Sequence, residues 1–172
     1  IKHINLTYES SFRYLNVWLD KDKMDSILKN IISNALKYTP DGGNVHVFTS
    51  ETEDTWSIEV KDTGIGIPAS EQKKLFKMHF RGSNAINSKV TGSGIGLLLV
   101  GKLVHLHKGK LNFSSMEGKG SCIKITFPKG NKHFRKAIQR PQPQNERIVY
   151  SASGVPINAS TTTSPSSSGI YD

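Results

Sequence analysis

The sequence predicts an α+β fold, a two-layer sandwich in which a mostly antiparallel, mixed sheet carries helices on one face. Strand-like stretches come first, and helices and strands follow in irregular alternation. Two pairs of strand-like stretches are separated only by short turns, which favours hairpins over regular strand–helix–strand units. With 35% hydrophobic and 22% charged residues, the chain has the composition of a soluble globular protein.

The N-terminal elements follow from the periodicity of the apolar residues. HINLTYES (3–10) and NVWLD (16–20) alternate between apolar and polar residues and predict short strands. From about Lys23 to Tyr38 the apolar residues recur on one broad helical face, which predicts a helix. Asp20 or Asp22 is the expected N-cap, because an aspartate there can accept from a free N–H group of the first turn.

The middle of the chain predicts a hairpin, a short helix and a loop. TPDGG (39–43) ends the first helix, and NVHVFTS (44–50) and TWSIEVKD (55–62) alternate as an antiparallel pair. Pro68 opens a short helix that continues through KKLFKMHF. Residues 81–93 are polar, small and interrupted by glycine, which predicts a loop.

The end of the domain predicts a second helix from about Gly94 to His107, followed by another hairpin. Its strands are KLNFSSM (110–116) and SCIKITFP (121–128), joined by EGKG. The domain therefore covers residues 1–130.

The C-terminal stretch 131–172 differs in composition from the domain. It begins basic and becomes rich in serine, threonine and proline, which predicts a linker or disordered tail. Only RIVY (147–150) predicts an edge strand within it.

Charge and cysteine content limit the classes of partner. The net charge of +9 admits nucleic acid, an anionic membrane surface or an anionic small ligand, or merely well-solvated helices. The lysines are spread along the chain, which speaks against direct nucleic-acid binding. No apolar run is long enough to span a bilayer, and no signal segment is apparent. The single cysteine, Cys122, favours a reducing compartment.

A polar strip lies beside the apolar face of the long predicted helix. Asn30, Asn34 and Lys37 fall together on this strip, and Tyr38 lies between it and the apolar face. Carboxamide oxygens suit a hard cation such as Mg²⁺, and a lysine one turn further on suits phosphate oxygens. A solvated strip, or amides that cap neighbouring backbone, would explain the same residues.

Two glycine-bearing segments add a carboxylate and a loop. Asp62 ends a predicted strand before TGIGI, where it can accept from an exocyclic amine such as adenine N6, although DTG is also ordinary turn chemistry. VTGSGIGLLLV (90–100) has neither the dinucleotide fingerprint nor the P-loop spacing. Its glycines either bring an anion to a helix N-terminus or allow the helix to pack closely.

Taken together and in order, these motifs resemble those of the ATP-binding catalytic domain of sensor histidine kinases. This domain belongs to the GHKL superfamily, which includes gyrase, the large heat-shock chaperones and the mismatch-repair ATPases. NIISNALKYTP resembles the N box, DTGIGI the first glycine box, KLFKMHFR the F box and GSGIGLLLV the second glycine box. GKGSCIKITFP resembles the closing strand motif, and the five motifs keep the family's order across residues 20–128.

The resemblance implies ATP and Mg²⁺ as ligands and assigns roles at the phosphate end of the site. Asn34 would coordinate Mg²⁺, with Asn30 assisting at or near the metal. Lys37 would contact phosphate, and Arg81 would help to hold the γ-phosphate. Tyr38 would lie along the adenine or ribose.

The resemblance also implies how the base is held. Asp62 would accept from adenine N6, and Gly64 and Gly66 would let the base seat against the backbone. Ser121 and Thr126 lie where the family often places residues close to the adenine pocket.

A mobile lid would run from about Phe80 to Gly96. The lid glycines expected near the phosphates are Gly92, Gly94 and Gly96. The F box departs from the family pattern at Lys77 and His79, where more acidic or aromatic residues are usual, and the second glycine box has Ser93 in place of threonine.

Residue 30 bears on the reaction that the resemblance implies. ATP-hydrolysing members of the superfamily carry a glutamate one turn before the metal-binding asparagine, whereas this chain has Asn30. Because a carboxamide cannot take a proton from water as a carboxylate would, we expect transfer of the γ-phosphoryl group to a histidine in a two-component phosphorelay. The alternatives are a GHKL-type ATPase and a non-catalytic module that senses nucleotide.

The resemblance implies a larger parent protein. The family's acceptor is a histidine followed by an acidic residue on a separate dimerising hairpin, and none of the six histidines here precedes Asp or Glu. We therefore expect the acceptor on an adjacent domain of a homodimeric parent, with this domain in the cytoplasm and the parent anchored in the inner membrane. The C-terminal stretch fits a linker to a response-regulator receiver domain.

Overall fold

The computed structural model describes residues 2–76, 82–83, 94–131, 149–150 and 156–157. The chain divides into two compact units, Ile1–Ile138 and Gln139–Asp172. The elements of the first unit are β1 (Asn5–Ser10), α1 (Lys21–Tyr38), β2 (Asn44–Glu51), β3 (Thr55–Asp62), α2 (Ala69–Gln72), α3 (Gly96–Leu106), β4 (Lys110–Met116) and β5 (Gly120–Pro128). In the second unit, β6 (Val149–Tyr150) pairs antiparallel with β7 (Pro156–Ile157).

The described part of the first unit contains a five-stranded sheet in the order β1-β2-β3-β5-β4. β1 pairs parallel with β2, and the other three pairings are antiparallel. Both predicted hairpins are present, so the mostly antiparallel, mixed sheet is confirmed. Because a parallel pair needs a crossover connection, α1 joins β1 to β2 and forms a strand–helix–strand unit that the sequence pattern did not predict.

Alternation along the strands places one face of the sheet against the helices. On that face the alternate residues of β3 and β5 are apolar except at the ends where Asp62 and Ser121 lie, and α1 and α3 cover it. The buried residues that form this core are Met24, Ile27, Ile31, Ala35, Val45, Val47, Trp56, Ile58, Val60, Val100, Val104, Ile123, Ile125 and Phe127. The predicted arrangement of helices on one face of the sheet is thereby confirmed.

Helix α1 begins two residues before the predicted start because Asp20 caps it. The Asp20 side chain accepts from the Lys23 N–H at 3.1 Å, and the Asp20 carbonyl accepts from the Met24 N–H at 2.9 Å. The helix ends at Tyr38, after which the buried Thr39 donates from its N–H and its hydroxyl to the Ala35 carbonyl.

The prediction of a strand at 16–20 is wrong, since that segment is neither helix nor strand. The Trp18 N–H donates to the Lys129 carbonyl at 3.3 Å, whereas Val17 and Leu19 pack against the core. The alternating pattern therefore reflects the burial of every second side chain without pairing in the sheet.

The two other predicted helices are shorter than expected where the structure describes them. α2 covers four residues and leads into a turn that reaches Phe76. The rest of the predicted helix, and the predicted loop except for Gly82 and Ser83, lie outside the described residues. Within the described ranges, no helix has the length and apolar character that crossing a membrane would require.

Candidate functional site

A cavity of about 310 Å³ opens between α1, the end of β3, the turn that follows it and the N-terminus of α3. Core residues and polar side chains line it together, a combination that is typical of small-ligand sites. The described residues that line it are Asn30, Ile31, Ser33, Asn34, Ala35, Lys37, Tyr38, Val60, Asp62, Ile65, Gly66, Ile67, Leu75, Gly82, Gly94, Gly96, Leu97, Phe113, Ser121 and Ile123.

Asp62 is a partly buried carboxylate at the end of β3, on the helix-covered face of the sheet. Its Oδ1 accepts from the Gly64 N–H at 2.8 Å and from the Ser121 N–H at 3.2 Å. Burial raises the pKa of Asp62. The hydrogen bonds from Gly64 and Ser121 lower this pKa, but the effect of burial is larger. Among the described residues no donor is bound to Oδ2, so this oxygen can accept from a ligand.

The two glycines after Asp62 allow close approaches between backbone segments. A Cβ at Gly64 would lie 2.7 Å from the Tyr38 carbonyl oxygen, and a Cβ at Gly66 would lie 1.9 Å from the Met116 carbonyl oxygen. Gly66 also has φ +62°, which L side chains rarely adopt. Gly66 lines the cavity, whereas Gly64 is not among the described lining residues and donates its N–H to the Asp62 carboxylate.

The polar strip predicted on α1 does lie along the cavity. Asn30, Asn34, Lys37 and Tyr38 all line it. The Asn34 side chain is half-buried and makes no hydrogen bond to any part of the chain that the structure describes. The Lys37 ammonium lies 5.1 Å from the centroid of the Tyr38 ring, in cation–π contact.

Asn30 is engaged within the fold. Its Nδ2 donates to the Ser26 carbonyl at 2.8 Å, and a Cβ at Gly96 would lie 2.5 Å from its Oδ1. Gly96 therefore allows the start of α3 to approach α1 closely. Gly94, with φ +75°, also lines the cavity, so both described glycines of the second glycine box lie at the site.

The two residues predicted from the closing strand separate. Ser121 faces the cavity beside Asp62, its partner in the β3–β5 ladder. Thr126 pairs with Ser57 and Lys110 on the sheet face opposite the helices, because five residues separate it from Ser121 and side chains alternate. The placement of Thr126 near the pocket is therefore wrong.

Two predicted site residues, Arg81 and Gly92, lie outside the described residues, as do Lys77, His79 and Ser93. Of the predicted lid, the structure describes only Gly82, Ser83 and the residues from Gly94 onward. Gly82 is buried and lines the cavity, and the adjacent Ser83 N–H donates to Glu71 Oε2 at 3.0 Å.

Sequence reasoning missed the polar supports at the base of the cavity. The Ser115 hydroxyl accepts from the Ile67 N–H at 2.9 Å and lies 3.0 Å from the Ser121 hydroxyl. Gln72 donates to the carbonyls of Ile67 and Ser115, each at 2.9 Å. The register of the β4–β5 hairpin was the available signal, because a tight turn at EGKG places Ser115 opposite Ser121.

The sequence profile described as the histidine kinase-, DNA gyrase B- and HSP90-like ATPase matches residues 19–131. This range contains every described residue that lines the cavity. The chain therefore belongs to this ATPase family, and the resemblance that the five motifs suggested is confirmed.

Several relatives of this chain are named histidine kinases. Sensor histidine kinase WalK of Bacillus subtilis (strain 168) is 40% identical over 129 residues, which cover 74% of this chain and 21% of WalK. The circadian input-output histidine kinase CikA of Thermosynechococcus vestitus is 40% identical over 111 residues, 64% of this chain and 15% of CikA. The matched part of this chain thus spans about a fifth of these relatives or less.

Solved structures share the fold. The mycobacterial sensor histidine kinase MprB superposes with a TM-score of 0.61 at 27% identity, covering 73% of this chain and 81% of that chain. Full-length ShkA in complex with AMPPNP superposes with a TM-score of 0.62 at 22% identity, covering 77% of this chain and 27% of that chain. The architecture is that of a histidine kinase catalytic domain.

Proposed function

We propose that this domain binds ATP with Mg²⁺ and donates the γ-phosphoryl group to a histidine on a separate dimerisation domain. The observation that supports it most is the pairing, across one cavity, of the Asp62 carboxylate with the amide and ammonium groups of Asn34 and Lys37. An acceptor at one end and a cation with a metal ligand at the other match the two ends of a nucleotide.

The Asp62 end of the cavity has the chemical groups that adenine would need. Asp62 keeps an oxygen for an exocyclic amine, while Ile65, Gly66 and Ile67 provide an apolar and backbone surface against which a flat ring can lie. A guanine would place a carbonyl oxygen where adenine has its amine, and two acceptors would then face each other. Retention of a partly buried carboxylate with a raised pKa is typical of functional sites.

The α1 end suits a metal–phosphate group. The Asn34 carboxamide oxygen is a hard ligand with no competing bond in the described chain, and Lys37 brings a positive charge one turn further on. No group of three or more His, Cys, Asp or Glu side chains able to hold a metal occurs in the described ranges. Mg²⁺ bound here would take most of its ligands from phosphate and water, and it would neutralise charge on the phosphates.

Phosphoryl transfer is favoured over hydrolysis by the state of Asn30. As a carboxamide, Asn30 cannot take a proton from water as a carboxylate would, and its Nδ2 is already engaged with the Ser26 carbonyl. The domain's part in the reaction is to bind and orient the nucleotide and to balance its charge. We assign Arg81 to the γ-phosphate, and Gly92, Gly94 and Gly96 to the lid around the phosphates.

The partners follow from the relatives. WalK is named a sensor histidine kinase and ShkA was solved with AMPPNP, an ATP analogue. By analogy we assign this domain to a homodimeric sensor kinase with a cytoplasmic catalytic part and an inner-membrane anchor, which signals to a receiver domain. Residues 131–172 would serve as a linker.

Two measurements test the proposal. Calorimetric titration of the chain with ATP and Mg²⁺ should give saturable binding, and no binding would contradict it. Radiolabelled ATP with an added histidine-containing dimerisation domain should label that domain. Multiple-turnover hydrolysis without any acceptor would instead favour the ATPase, and binding without transfer would favour a nucleotide-sensing module.

A further inference from the structure

The last residue of α2, Gln72, joins two separate segments of the chain. Its half-buried Nε2 donates to the carbonyls of Ile67 and Ser115, each at 2.9 Å. Ile67 belongs to the turn after β3, whereas Ser115 lies near the end of β4. One amide group therefore connects the turn to the β4–β5 hairpin.

Ser115 completes the connection from the other side. Its hydroxyl accepts from the Ile67 N–H at 2.9 Å and donates to the Gly120 carbonyl at 2.9 Å. The N–H and the carbonyl of Ile67 are thus both bonded to side chains. Backbone bonds hold the start of the turn, from the Ile65 N–H to the Tyr38 carbonyl and from the Gly118 N–H to the Ile65 carbonyl. The position of Ile67 itself depends on the two side chains, because Ile67 makes no backbone–backbone bond within the described chain.

The same turn forms the wall of the cavity at the Asp62 end. Ile65, Gly66 and Ile67 line the cavity, and the Ser121 N–H that binds Asp62 Oδ1 comes from the hairpin on the opposite side. Gly66 is pressed so closely onto the Met116 carbonyl that a methyl group could not be inserted. The spacing between turn and hairpin therefore sets the distance between the carboxylate and the surface on which a base would lie.

We propose that Gln72, acting with Ser115, is a positioning residue that fixes the base end of the nucleotide site. Neither side chain is among the residues that line the cavity in the described chain, so both act through the Ile67 turn and not by touching the ligand. This inference rests on the proposed function, and it predicts an effect confined to the base.

The test compares ligands that carry the base with one that does not. In Gln72→Met, which keeps the side-chain length but removes the donor, the affinities for ATP and for adenosine should each fall about tenfold, while that for Mg²⁺-tripolyphosphate stays unchanged. Titration calorimetry measures all three. Lys73→Met is the matched control, because it changes the exposed neighbour of Gln72 to the same residue. This variant should bind all three ligands with the affinity of wild type.

Two further variants separate positioning from general loosening. Gln72→Lys should retain affinity within about threefold, because an ammonium can donate to two carbonyls, as Lys2 does to those of Lys37 and Thr39. Ser115→Ala should reproduce the base-specific loss, and it serves in place of Gln72→Met if that variant does not fold.

Three outcomes would overturn the inference. Equal affinity of Gln72→Met and wild type for ATP would remove it while leaving the proposed function intact. An equal loss for adenosine and tripolyphosphate, together with a lowered melting temperature, would show a merely structural role. If wild type bound no adenine nucleotide, the proposed function would fail first, and the inference with it.

Discussion

The two ends of the cavity are built in different ways. At the Asp62 end, backbone N–H groups hold the carboxylate, and Gln72 and Ser115 hold the adjoining turn. At the α1 end, Asn34 makes no hydrogen bond with the described residues. The Lys37 ammonium lies over the neighbouring Tyr38 ring and forms no hydrogen bond or ion pair with any described residue.

This difference indicates which groups of the site are held in place by folding and which would be held in place only when a ligand binds. A base would meet groups that are already fixed, so little conformational entropy would be lost there. A metal–phosphate group would instead organise long polar side chains as it binds. On the proposed function, the fold would therefore supply base selectivity, and a bound ion and phosphates would complete the α1 end.

The largest expected effect is on the free energy of unfolding, through the turn at the Asp62 end of the cavity. Gly66→Ala forces a side chain into φ +62° and against the Met116 carbonyl, and we expect a loss of about 3 kcal/mol in the free energy of unfolding. Gly118→Ala shares the positive φ without any neighbour within 4 Å and should cost only about 1 kcal/mol. Gly96→Ala meets the Asn30 side-chain oxygen and not backbone, so a shift of that side chain, with loss of its bond to the Ser26 carbonyl, should limit the cost to about 1 kcal/mol.

Urea-induced unfolding of the three glycine variants measures this ranking. A loss for Gly66→Ala no larger than that for Gly118→Ala would show that the turn can move away from the hairpin. The base end would then not be the more rigid of the two.

The next-largest effect concerns ligand binding at the α1 end of the cavity. Asn34→Ala removes the proposed Mg²⁺ ligand, and we expect Mg²⁺-dependent affinity for ATP to fall by more than about a hundredfold, with the melting temperature of the ligand-free chain nearly unchanged. Asn112→Ala, an exposed asparagine on the opposite face of the sheet, is the control for calorimetry. Unchanged affinity in Asn34→Ala would place the metal elsewhere.

The two ends also differ in how far the sequence predicted them. The α1 residues could be assigned because helical periodicity alone brings Asn30, Asn34 and Lys37 to one face. The supports at the base end depend on which strand pairs with which and in what register, so Ser115 and Gln72 were missed. Thr126 was misplaced for a different reason: it lies five positions after Ser121 on the same predicted strand, so alternation already puts the two side chains on opposite faces.

The strand predicted at 16–20 failed for a related reason. Alternation predicts which side chains are buried, but it does not say whether a sheet edge is available to pair with the segment. The motifs were enough to identify the family, whereas the contacts that hold the motifs in place could be identified only from the three-dimensional structure.

A smaller effect is expected from Asp62→Asn. Asparagine keeps an Oδ1 acceptor for the N–H groups of Gly64 and Ser121, but it replaces the charged Oδ2 acceptor with an NH2 donor, which cannot accept from an exocyclic amine. Affinity for ATP should fall about tenfold and the preference for ATP over GTP should shrink, because hydrogen bonds to charged groups are the stronger ones. Glu59→Gln makes the same exchange on the opposite face of β3 and should change neither quantity.

Competition binding with ATP and GTP measures this preference. Wild type that bound both nucleotides equally would contradict the role of Asp62 in selecting the base.

The smallest effect distinguishes Asp62 from a carboxylate that only stabilises the fold. Burial raises the pKa of Asp62 above its ordinary value of 3.8, so its charge destabilises the folded state above the folded pKa, and protonation removes this penalty as the pH falls. The side-chain and backbone hydrogen bonds from Lys23 lower the pKa of Asp20, so Asp20 stabilises the fold above pH 3.8 and this contribution is lost as the pH falls through its folded pKa. Relative to wild type, Asp62→Asn should therefore be more stable at pH 7, and this difference should disappear as the pH falls towards 3.8. Asp20→Ala should be less stable than wild type at pH 7, and the two should converge below the folded pKa of Asp20. Thermal unfolding across this pH range measures both differences, and parallel pH profiles for the two variants would show that the Asp62 charge carries no cost to the fold.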